Sequence, residues 1–294
     1  MAFYSIKDLE KISGIKAHTI RIWERRYNLI EPERTATNIR YYNDEDLKRI
    51  LNVSILNQNG FKISKIAQMT DVQLRDRVLD LCLDTRNTDV QIESLLVAML
   101  EMEESKFTNV LSNSIIKQGF ESTVESILFP FLDRIGILWQ AGTINPAQEH
   151  FISNLIRQKL IVAIDNEMQN FIPKVEKSIV FFLPENEMHE IGLLFYSLIA
   201  RKEGFNVVYL GASVPTKDLK VVVEVRNVDA LFTSFVSALK VEELDLLTND
   251  ITEAVPHLPV YLMGLQIKEQ APSLPKQYQI IGSSQEFKAC LASL

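Results

Sequence analysis

Length, composition and charge narrow the range of functions for this chain. Its 294 residues, 47% of them hydrophobic, predict two or three domains with their own cores. No stretch is long and apolar enough for a membrane span, and the first residues lack the pattern of a signal peptide, so we expect a cytoplasmic protein that does not bind membranes. Cys82 and Cys290 lie too far apart in sequence to indicate a zinc site or a disulfide framework, and both are expected to be buried thiols.

Charge is distributed unevenly along the sequence. The net charge of −7, taken over the whole chain, argues against nucleic-acid binding. Residues 1–70, however, hold twelve Lys and Arg against eight Asp and Glu, a balance of +4, whereas residues 71–294 hold nineteen against thirty, a balance of −11. A nucleic-acid module is therefore predicted in the basic first segment.

Two short helices are predicted in that segment. Ser5 starts a capping-box arrangement, so a helix should begin after it, and Gly14 should end that helix. A second helix is predicted from about residue 16 to 27, with Ile20 and Trp23 on its inner face. Two short helices joined by a glycine turn are typical of a helix-turn-helix, whose second helix enters the major groove of DNA. The candidate DNA-binding residues on the outer face are His18, Thr19, Arg21, Arg25 and Arg26.

A basic segment with aromatic residues follows the second helix. It contains Arg34, Arg40 and Tyr42, and Asn43 is predicted to cap a third helix. A cationic hairpin in this place acts as a wing that reaches phosphates or the minor groove, so these three residues are further candidate DNA contacts. The alternative is that the basic residues only form a solvated helix surface, and the ordered series of capped helix, glycine turn, basic helix and basic wing disfavours it.

The same segment resembles the DNA-binding domain of MerR-family transcription regulators. The resemblance is carried by residues 19–32 (TIRIWERRYNLIEP), by Arg34-Thr35 and by Arg40-Tyr41-Tyr42, and it covers about a quarter of the chain. It implies a dimer on a pseudo-palindromic promoter site, with the second helix in the major groove and the wing on the DNA backbone.

Residues 76–172 are predicted to form a four-helix bundle, because apolar residues recur there at helical spacing. Trp139 is expected to end one helix, Gly142 to break the chain, and Asn145 to start the next helix. Glu149 and His150 then lie on the first turns of that next helix. Such a Glu-His pair is by itself more often exposed than functional.

Residues 175–294 alternate apolar strands with helices, which predicts a doubly wound parallel sheet. Ligands of such sheets bind at the carboxyl ends of the strands. The loop after the first strand, which is predicted at 178–183, has no glycine-rich fingerprint, so a dinucleotide site is disfavoured. That loop instead offers His189, with Glu187 two residues earlier as an acceptor for its second ring nitrogen, an arrangement of metal-ligating histidines. A histidine that only caps the next helix is the equally weighted alternative.

The pattern Glu187-x-His189-x-x-Gly192, with Ser234 and Gly264 on later loops, resembles the cobalamin-binding domain of corrinoid proteins. The resemblance implies that His189 replaces the nucleotide base as the lower axial ligand of cobalt. It also implies that Glu187 and Ser234 join His189 in a hydrogen-bonded relay or line the pocket of the nucleotide tail, and that the glycines admit this tail.

The spacing of Trp139, Glu149 and His150 resembles the helical cap over the upper face of cobalamin in light-responsive regulators of the CarH and LitR type. Three positions depart from the combined pattern. Glu187 replaces the more usual aspartate, and Met263 replaces the first glycine of a Gly-Gly pair, where a side chain can crowd the tail pocket. Gln140 stands where light-sensing relatives carry a histidine, so the resemblance does not extend to a photoproduct held by two histidines.

The sequence thus predicts a multidomain α and α/β protein: a winged helix-turn-helix at 1–72, a helical bundle at 76–172 and a Rossmann-like cobalamin-binding fold at 175–294. The leading hypothesis is a non-enzymatic transcription repressor, a dimer or tetramer on double-stranded promoter DNA. It is controlled by cobalamin, with adenosylcobalamin as the expected form and light as a further candidate signal. The alternatives are a MerR-type regulator with a vestigial cobalamin fold that answers to a partner protein, and a corrinoid carrier of the methyltransferase type.

Overall fold

The structure, a computed structural model, describes residues 4–35, 38–84, 88–140, 144–169, 171–237, 239–264, 267 and 274–294, with the side chains of 75, 79, 82–84 and 140 outside the description. Gly142 and the side chains of Cys82 and Gln140, all singled out from the sequence, therefore lie outside the described residues. The chain divides into two compact units, Met1–Leu155 and Ile156–Leu294.

The first unit begins with the predicted pair of short helices, α1 (Ile6–Ser13) and α2 (Ala17–Tyr27). The hydroxyl of Ser5 accepts the amide of Asp8 at 3.3 Å, and the Asp8 carboxylate accepts the amide of Ser5 at 2.7 Å. Gly14 ends α1 with a φ of 71°, in the left-handed region that glycine enters without steric cost. The capped helix, the glycine turn and the second helix are confirmed.

A short antiparallel hairpin follows, formed by β1 (Glu33–Arg34) and β2 (Arg40–Tyr41), and it is the predicted wing. Asn43 then caps α3 (Asp44–Gln58), because its side chain accepts the amide of Asp46 at 3.0 Å while the Asp46 carboxylate accepts the amide of Asn43 at 3.1 Å. The wing and the capped third helix are confirmed.

Helices make up the rest of the first unit. They are α4 (Ile63–Ile66), α5 (Asp71–Asp84), α6 (Thr88–Glu101), α7 (Glu104–Gln118), α8 (Phe120–Thr123), α9 (Phe129–Gln140) and the first part of α10 (Pro146–Met168). Leu95, Ile127 and Ile152, chosen from the helical spacing, are all fully buried. A π-helical turn, residues 124–128, joins α8 to α9 just before Pro130, which has no N–H to donate to that turn.

The division between the units falls inside α10, which runs from residue 146 to 168. The predicted domain limits at 72, 76, 172 and 175 therefore stay predictions. Among the described residues, no helix combines the length and the apolar character needed to span a membrane.

The second unit is built on a parallel sheet with the spatial order β4-β3-β5-β6-β7. Its strands are β3 (Ser178–Pro184), β4 (Asn206–Val214), β5 (Ala230–Ser234), β6 (Val260–Met263) and β7 (Tyr278–Ile280). Its helices are α11 (Ile191–Lys202), α12 (Leu219–Val225), α13 (Val241–Ala254) and α14 (Ser284–Ser293), with a 3-10 turn at Thr216–Asp218. Counted by their order in the chain, the strands stand in the sheet as second, first, third, fourth and fifth. The chain therefore adds strands first toward one edge and then toward the other, and the direction switches between β3 and β5.

Both faces of the sheet are covered, as doubly wound folds require. On one face the ring of Phe232 lies 5.0 Å from that of Phe181 and 4.9 Å from that of Tyr196 on α11. On the other face Val180 and Leu231 pack in one apolar cluster with Leu244 of α13. Successive side chains of a strand point to opposite faces of the sheet, so Val180 and Phe181 lie on opposite faces, as do Leu231 and Phe232. The predicted fold class is confirmed. Cys290, on α14, is buried as expected.

One predicted boundary is wrong. The apolar run 206–210 and the glycine after it predict a second strand that ends at Leu210 and a loop from Gly211. The strand instead continues to Val214, so residues 211–214 form strand rather than loop. Gly211, at a φ of 82°, pairs with Phe182 where the register shifts, which marks a β-bulge. The glycine that predicted a turn instead lets the strand bend and go on.

Candidate functional site

The surface of α2 carries the predicted cations. Arg21, Arg25, Arg26 and His18 are exposed, whereas Thr19 is half-buried. Ile20 and Trp23 are buried and fix the opposite face of the helix against the module's core. Since residues four apart lie on the same helix face, Arg21 and Arg25 share one exposed surface. This surface has the charge and the shape of a helix for the major groove.

The wing presents a further cation at its tip. Arg34 is exposed, and its guanidinium donates to the side-chain oxygen of Asn38 at 2.6 Å. Asn38 has a φ of 63°, a conformation that asparagine tolerates better than most residues, so it can turn the chain there. Arg34 is thus held at the tip in an exposed position.

Arg40 and Tyr42 are placed differently from the prediction. Tyr42 is fully buried, and its hydroxyl donates to the Glu24 carboxylate at 2.5 Å. The guanidinium of Arg40 lies 3.7 Å from the second oxygen of Glu24. The prediction of Tyr42 as a DNA contact is therefore corrected: it pairs through its backbone with Tyr4 and belongs to the core. Glu24, which the sequence reading passed over, ties the recognition helix to the wing.

Three candidate residues lie in the predicted helical bundle: Trp139, Glu149 and His150. The Glu149 carboxylate lies 3.2 Å from Nδ1 of His150 and accepts the hydroxyl of Ser153 at 2.5 Å. The His150 side chain is 74% exposed, and Trp139 is 48% exposed. Asn145 starts α10, since its side chain accepts the amide of Ala147 at 2.8 Å. Exposed aromatic and imidazole groups of this kind are available to a ligand.

The loop after β3 holds a closely hydrogen-bonded group of polar atoms. Glu187 is 4% exposed, and its Oε1 lies 2.6 Å from Nδ1 of His189. The same oxygen accepts the amides of Met188 and His189 at 2.9 and 3.0 Å. Its other oxygen accepts the amides of Val236 and Ser237, both at 2.8 Å. One carboxylate thereby joins the loops after β3 and β5, on the two sides of the switch in winding direction.

These contacts decide the charge of the carboxylate. Burial alone would raise the pKa of Glu187, but the hydrogen bonds from the His189 ring and from the backbone amides outweigh it and hold the pKa at about 2. An ionised carboxylate can only accept, so Nδ1 of His189 must be the protonated nitrogen. In the neutral form of the ring, Nε2 then carries the lone pair, which is the form of histidine that ligates a metal. The ring is 60% exposed.

The partner that the sequence reading missed is Ser237. Its hydroxyl donates to Glu187 at 3.1 Å and lies 3.3 Å from Nδ1 of His189. Ser237 thus contacts both Glu187 and His189, whereas Ser234, three residues earlier, is buried at the end of β5. A place for Ser234 in the relay or in the tail pocket stays a prediction. No local pattern marks Ser237, because only the pairing of β3 with β5 brings its loop to Glu187.

The extension of β4 supports the histidine loop from its other side. Ser213 donates its amide to the backbone oxygen of Glu187 at 3.1 Å, and its hydroxyl accepts the amide of Asn186 at 3.1 Å. Next to the histidine, the Glu190 carboxylate accepts the hydroxyl of Tyr209 at 3.0 Å and pairs with Arg157 of α10 at 2.5 Å. His189 is thus presented by a loop that is fixed at several points.

The predicted glycines lie at close approaches near this loop. A Cβ on Gly264, where φ is 123°, would lie 2.1 Å from the carbonyl oxygen of Phe235, so only glycine fits there. A Cβ on Gly192 would lie 3.3 Å from Cε of Met263. Among the described residues, no group of three or more His, Cys, Asp and Glu side chains could hold a metal ion. A metal at His189 would therefore have to bring most of its ligands with it.

Two segments of the chain match described protein families. Residues 4–73 match the family described as MerR HTH family regulatory protein. Residues 91–163, which run from α6 into α10, match the family described as B12 binding domain. The chain thus joins a segment that matches MerR-type regulators to a segment that matches a B12 binding domain.

Individual relatives cover most of the chain. It is 27% identical over 268 residues to the HTH-type transcriptional repressor CarH of Myxococcus xanthus, across 89% of this chain and 88% of that one. It is 28% identical over 291 residues to the HTH-type transcriptional repressor CarA of the same organism, across 97% and 94%. Among solved structures, the monomethylamine corrinoid protein of Methanosarcina barkeri aligns over 71% of this chain and 100% of its own, with a TM-score of 0.55 at 13% identity, a likeness of fold alone.

Proposed function

We propose that this chain is a transcription repressor whose affinity for promoter DNA is set by a bound cobalamin. It joins a MerR-type helix-turn-helix to a B12-binding segment. The relatives that span most of the chain are transcriptional repressors by name rather than enzymes. The single observation that carries the cobalamin half is the contact between Glu187 and Nδ1 of His189.

The donor set near His189 fits a corrinoid better than a free metal ion. One imidazole, oriented by one ionised carboxylate, supplies a single strong ligand, and a corrin ring would bring its own nitrogen ligands for the cobalt. When bound, cobalamin supplies a cobalt atom with an exchangeable axial position and, in its adenosyl form, a cobalt–carbon bond. His189 would hold the cobalt through Nε2, while Glu187 and Ser237 keep the ring turned and its Nδ1 proton in place.

We propose adenosylcobalamin as the bound form, because Trp139, Glu149 and His150 resemble the helical cap of regulators that bind it. Trp139 and the His150 side chain are exposed. Gln140 replaces the histidine of light-sensing relatives, so the proposed signal is the presence of the cofactor. Light acting through a second histidine is not part of this proposal.

The DNA half of the proposal rests on the exposed cations of α2 and of the wing tip. Arg21, Arg25 and Arg26 would meet the major groove and its phosphates, and Arg34 the adjacent backbone. Residues 71–294 contribute little to the attraction, since they carry a balance of −11. We propose that the protein acts as a homo-oligomer, since a MerR-type module resembles those that bind pseudo-palindromic sites in pairs.

The cobalamin half is tested by removing the proposed axial ligand. His189→Ala is expected to lower the affinity for aquacobalamin by about tenfold or more and to change the visible spectrum of the bound cofactor, because the spectrum reports the axial ligands. Titration followed by visible absorption measures both quantities.

The matched control is His257→Ala, which removes another exposed histidine of the same unit. This variant should bind with the affinity and spectrum of the unaltered protein. An unchanged affinity and spectrum in His189→Ala would remove His189 from the proposal.

A further inference from the structure

Met263 is the last residue of β6, and its side chain reaches the start of α11. A Cβ built on Gly192, the second residue of that helix, would lie 3.3 Å from Cε and 3.4 Å from Sδ of Met263. The thioether therefore fills the space that a side chain at Gly192 would otherwise take.

The topology places this contact across the carboxyl end of β5. β6 pairs with β5, with Met263 opposite Ser234, and β5 pairs in turn with β3, whose loop leads to α11. The methionine thus bridges from β6 past β5 to the helix that follows the His189 loop. Ligands of parallel sheets of this winding enter outside the strand ends at that switch point.

The backbone next to Met263 is closely packed. Gly264 lies against the Phe235 peptide so closely that no Cβ fits, and the Phe235 amide donates to the backbone oxygen of Met263 at 3.0 Å. Met263 itself is only partly buried, and its unbranched chain has several rotatable bonds. At these strand ends the Met263 side chain can therefore move more easily than the backbone beside it.

From this geometry we infer that Met263 determines ligand specificity: it narrows the crevice beside His189 and disfavours a corrinoid whose nucleotide tail must enter there. The inference rests on the proposed function. The corrin ring and the His189 contact are shared by cobalamin and by cobinamide, which has the same ring and cobalt but no nucleotide. Only the nucleotide tail has to displace the methionine. The unaltered protein therefore favours cobalamin over cobinamide far less than a protein with a small residue at position 263 would.

The test compares the affinities of aquacobalamin and aquacobinamide by visible absorption. Met263→Ala is expected to bind aquacobalamin about tenfold more tightly than the unaltered protein, because the nucleotide tail no longer has to displace the methionine side chain. Its affinity for aquacobinamide should stay within about threefold of that of the unaltered protein. Met263→Val, which also removes the Cε and Sδ contact and suits a strand, should show the same selective gain even if the alanine variant folds poorly.

The control is Val225→Ala, which shortens an exposed apolar side chain at the end of α12 and should alter neither affinity. Two results would overturn the role of Met263 and leave the proposed function standing. In one, the Met263 variants gain equal affinity for both corrinoids. In the other, the unaltered protein binds both corrinoids and the variants gain affinity for neither. If neither the unaltered protein nor the variants bind any corrinoid, the proposed function itself fails, and a regulator with a vestigial cobalamin fold takes its place.

Discussion

Two buried glutamates in this protein have opposite pKa shifts because they differ in the number of donors around them. Glu187 receives hydrogen bonds from backbone amides and from His189, and its pKa is held at about 2. Glu93, on α6, is 5% exposed, and burial raises its pKa to about 7 although Arg134 lies 3.9 Å away and opposes the shift. Its Oε2 has no hydrogen-bond partner among the described residues. Burial raises the pKa of both carboxyl groups, and only close hydrogen-bond donors, as at Glu187, reverse that shift.

Glu93 should make the stability of the first unit depend on pH. Between its ordinary value of 4.5 and about 7, the folded chain binds a proton more tightly than the unfolded chain. The free energy of unfolding therefore falls as pH rises through this window, by at most about 3 kcal/mol. Glu93→Gln should remove that fall, as measured by urea unfolding at pH 5 and pH 8.

Fluorescence suits this measurement because both tryptophans, Trp23 and Trp139, belong to the same unit as Glu93. Glu104→Gln, an exposed change on α7, is the control and should keep the fall seen in the unaltered protein. The same pH dependence in the Glu93 variant would show that another group is responsible.

At the scale of elements, the recognition helix and the wing are joined by the Glu24 carboxylate. Tyr42→Phe removes the hydroxyl that donates to it at 2.5 Å, which should lower the free energy of unfolding by about 1.5 to 3 kcal/mol, as for other hydrogen bonds to charged groups. The salt dependence of DNA binding should not change, because the buried ring touches no phosphate.

Arg25→Ala is the contrasting variant. It should leave the free energy of unfolding nearly unchanged, because Arg25 is exposed. It should also reduce the slope of log affinity against log salt by about one unit, because the proposed phosphate contact would be lost. A reduced slope in Tyr42→Phe would instead return Tyr42 to the DNA surface.

Elements whose ends are set by neighbouring residues were predictable. The caps at Ser5 and Asn43 lie within three residues of their partners, and strands β5 and β6 begin and end where the apolar runs do. Features that depend on distant pairing were not predictable. Tyr42 is buried because Tyr4 pairs with it, and Ser237 joins the site because β5 lies beside β3. Glu187 and His189 could be found since both lie on one short loop.

At the scale of the molecule, the uneven charge assigns different tasks to different parts of the chain. A +4 segment carries the exposed arginines, and a −11 remainder carries the His189 loop and the bundle. A ligand at His189 can change DNA affinity only by as much as its own affinity differs between the free and the DNA-bound protein. Ligand dependence of DNA binding is therefore the property that the proposed function requires.

The most direct measurement is the fluorescence anisotropy of a DNA fragment that the protein itself selects from genomic DNA. It is titrated in the dark at fixed salt with and without adenosylcobalamin. We expect Kd to differ by about tenfold between the two conditions for the unaltered protein, and the difference to vanish in His189→Ala. The same Kd in both conditions, with adenosylcobalamin shown to be bound, would contradict a repressor controlled by cobalamin.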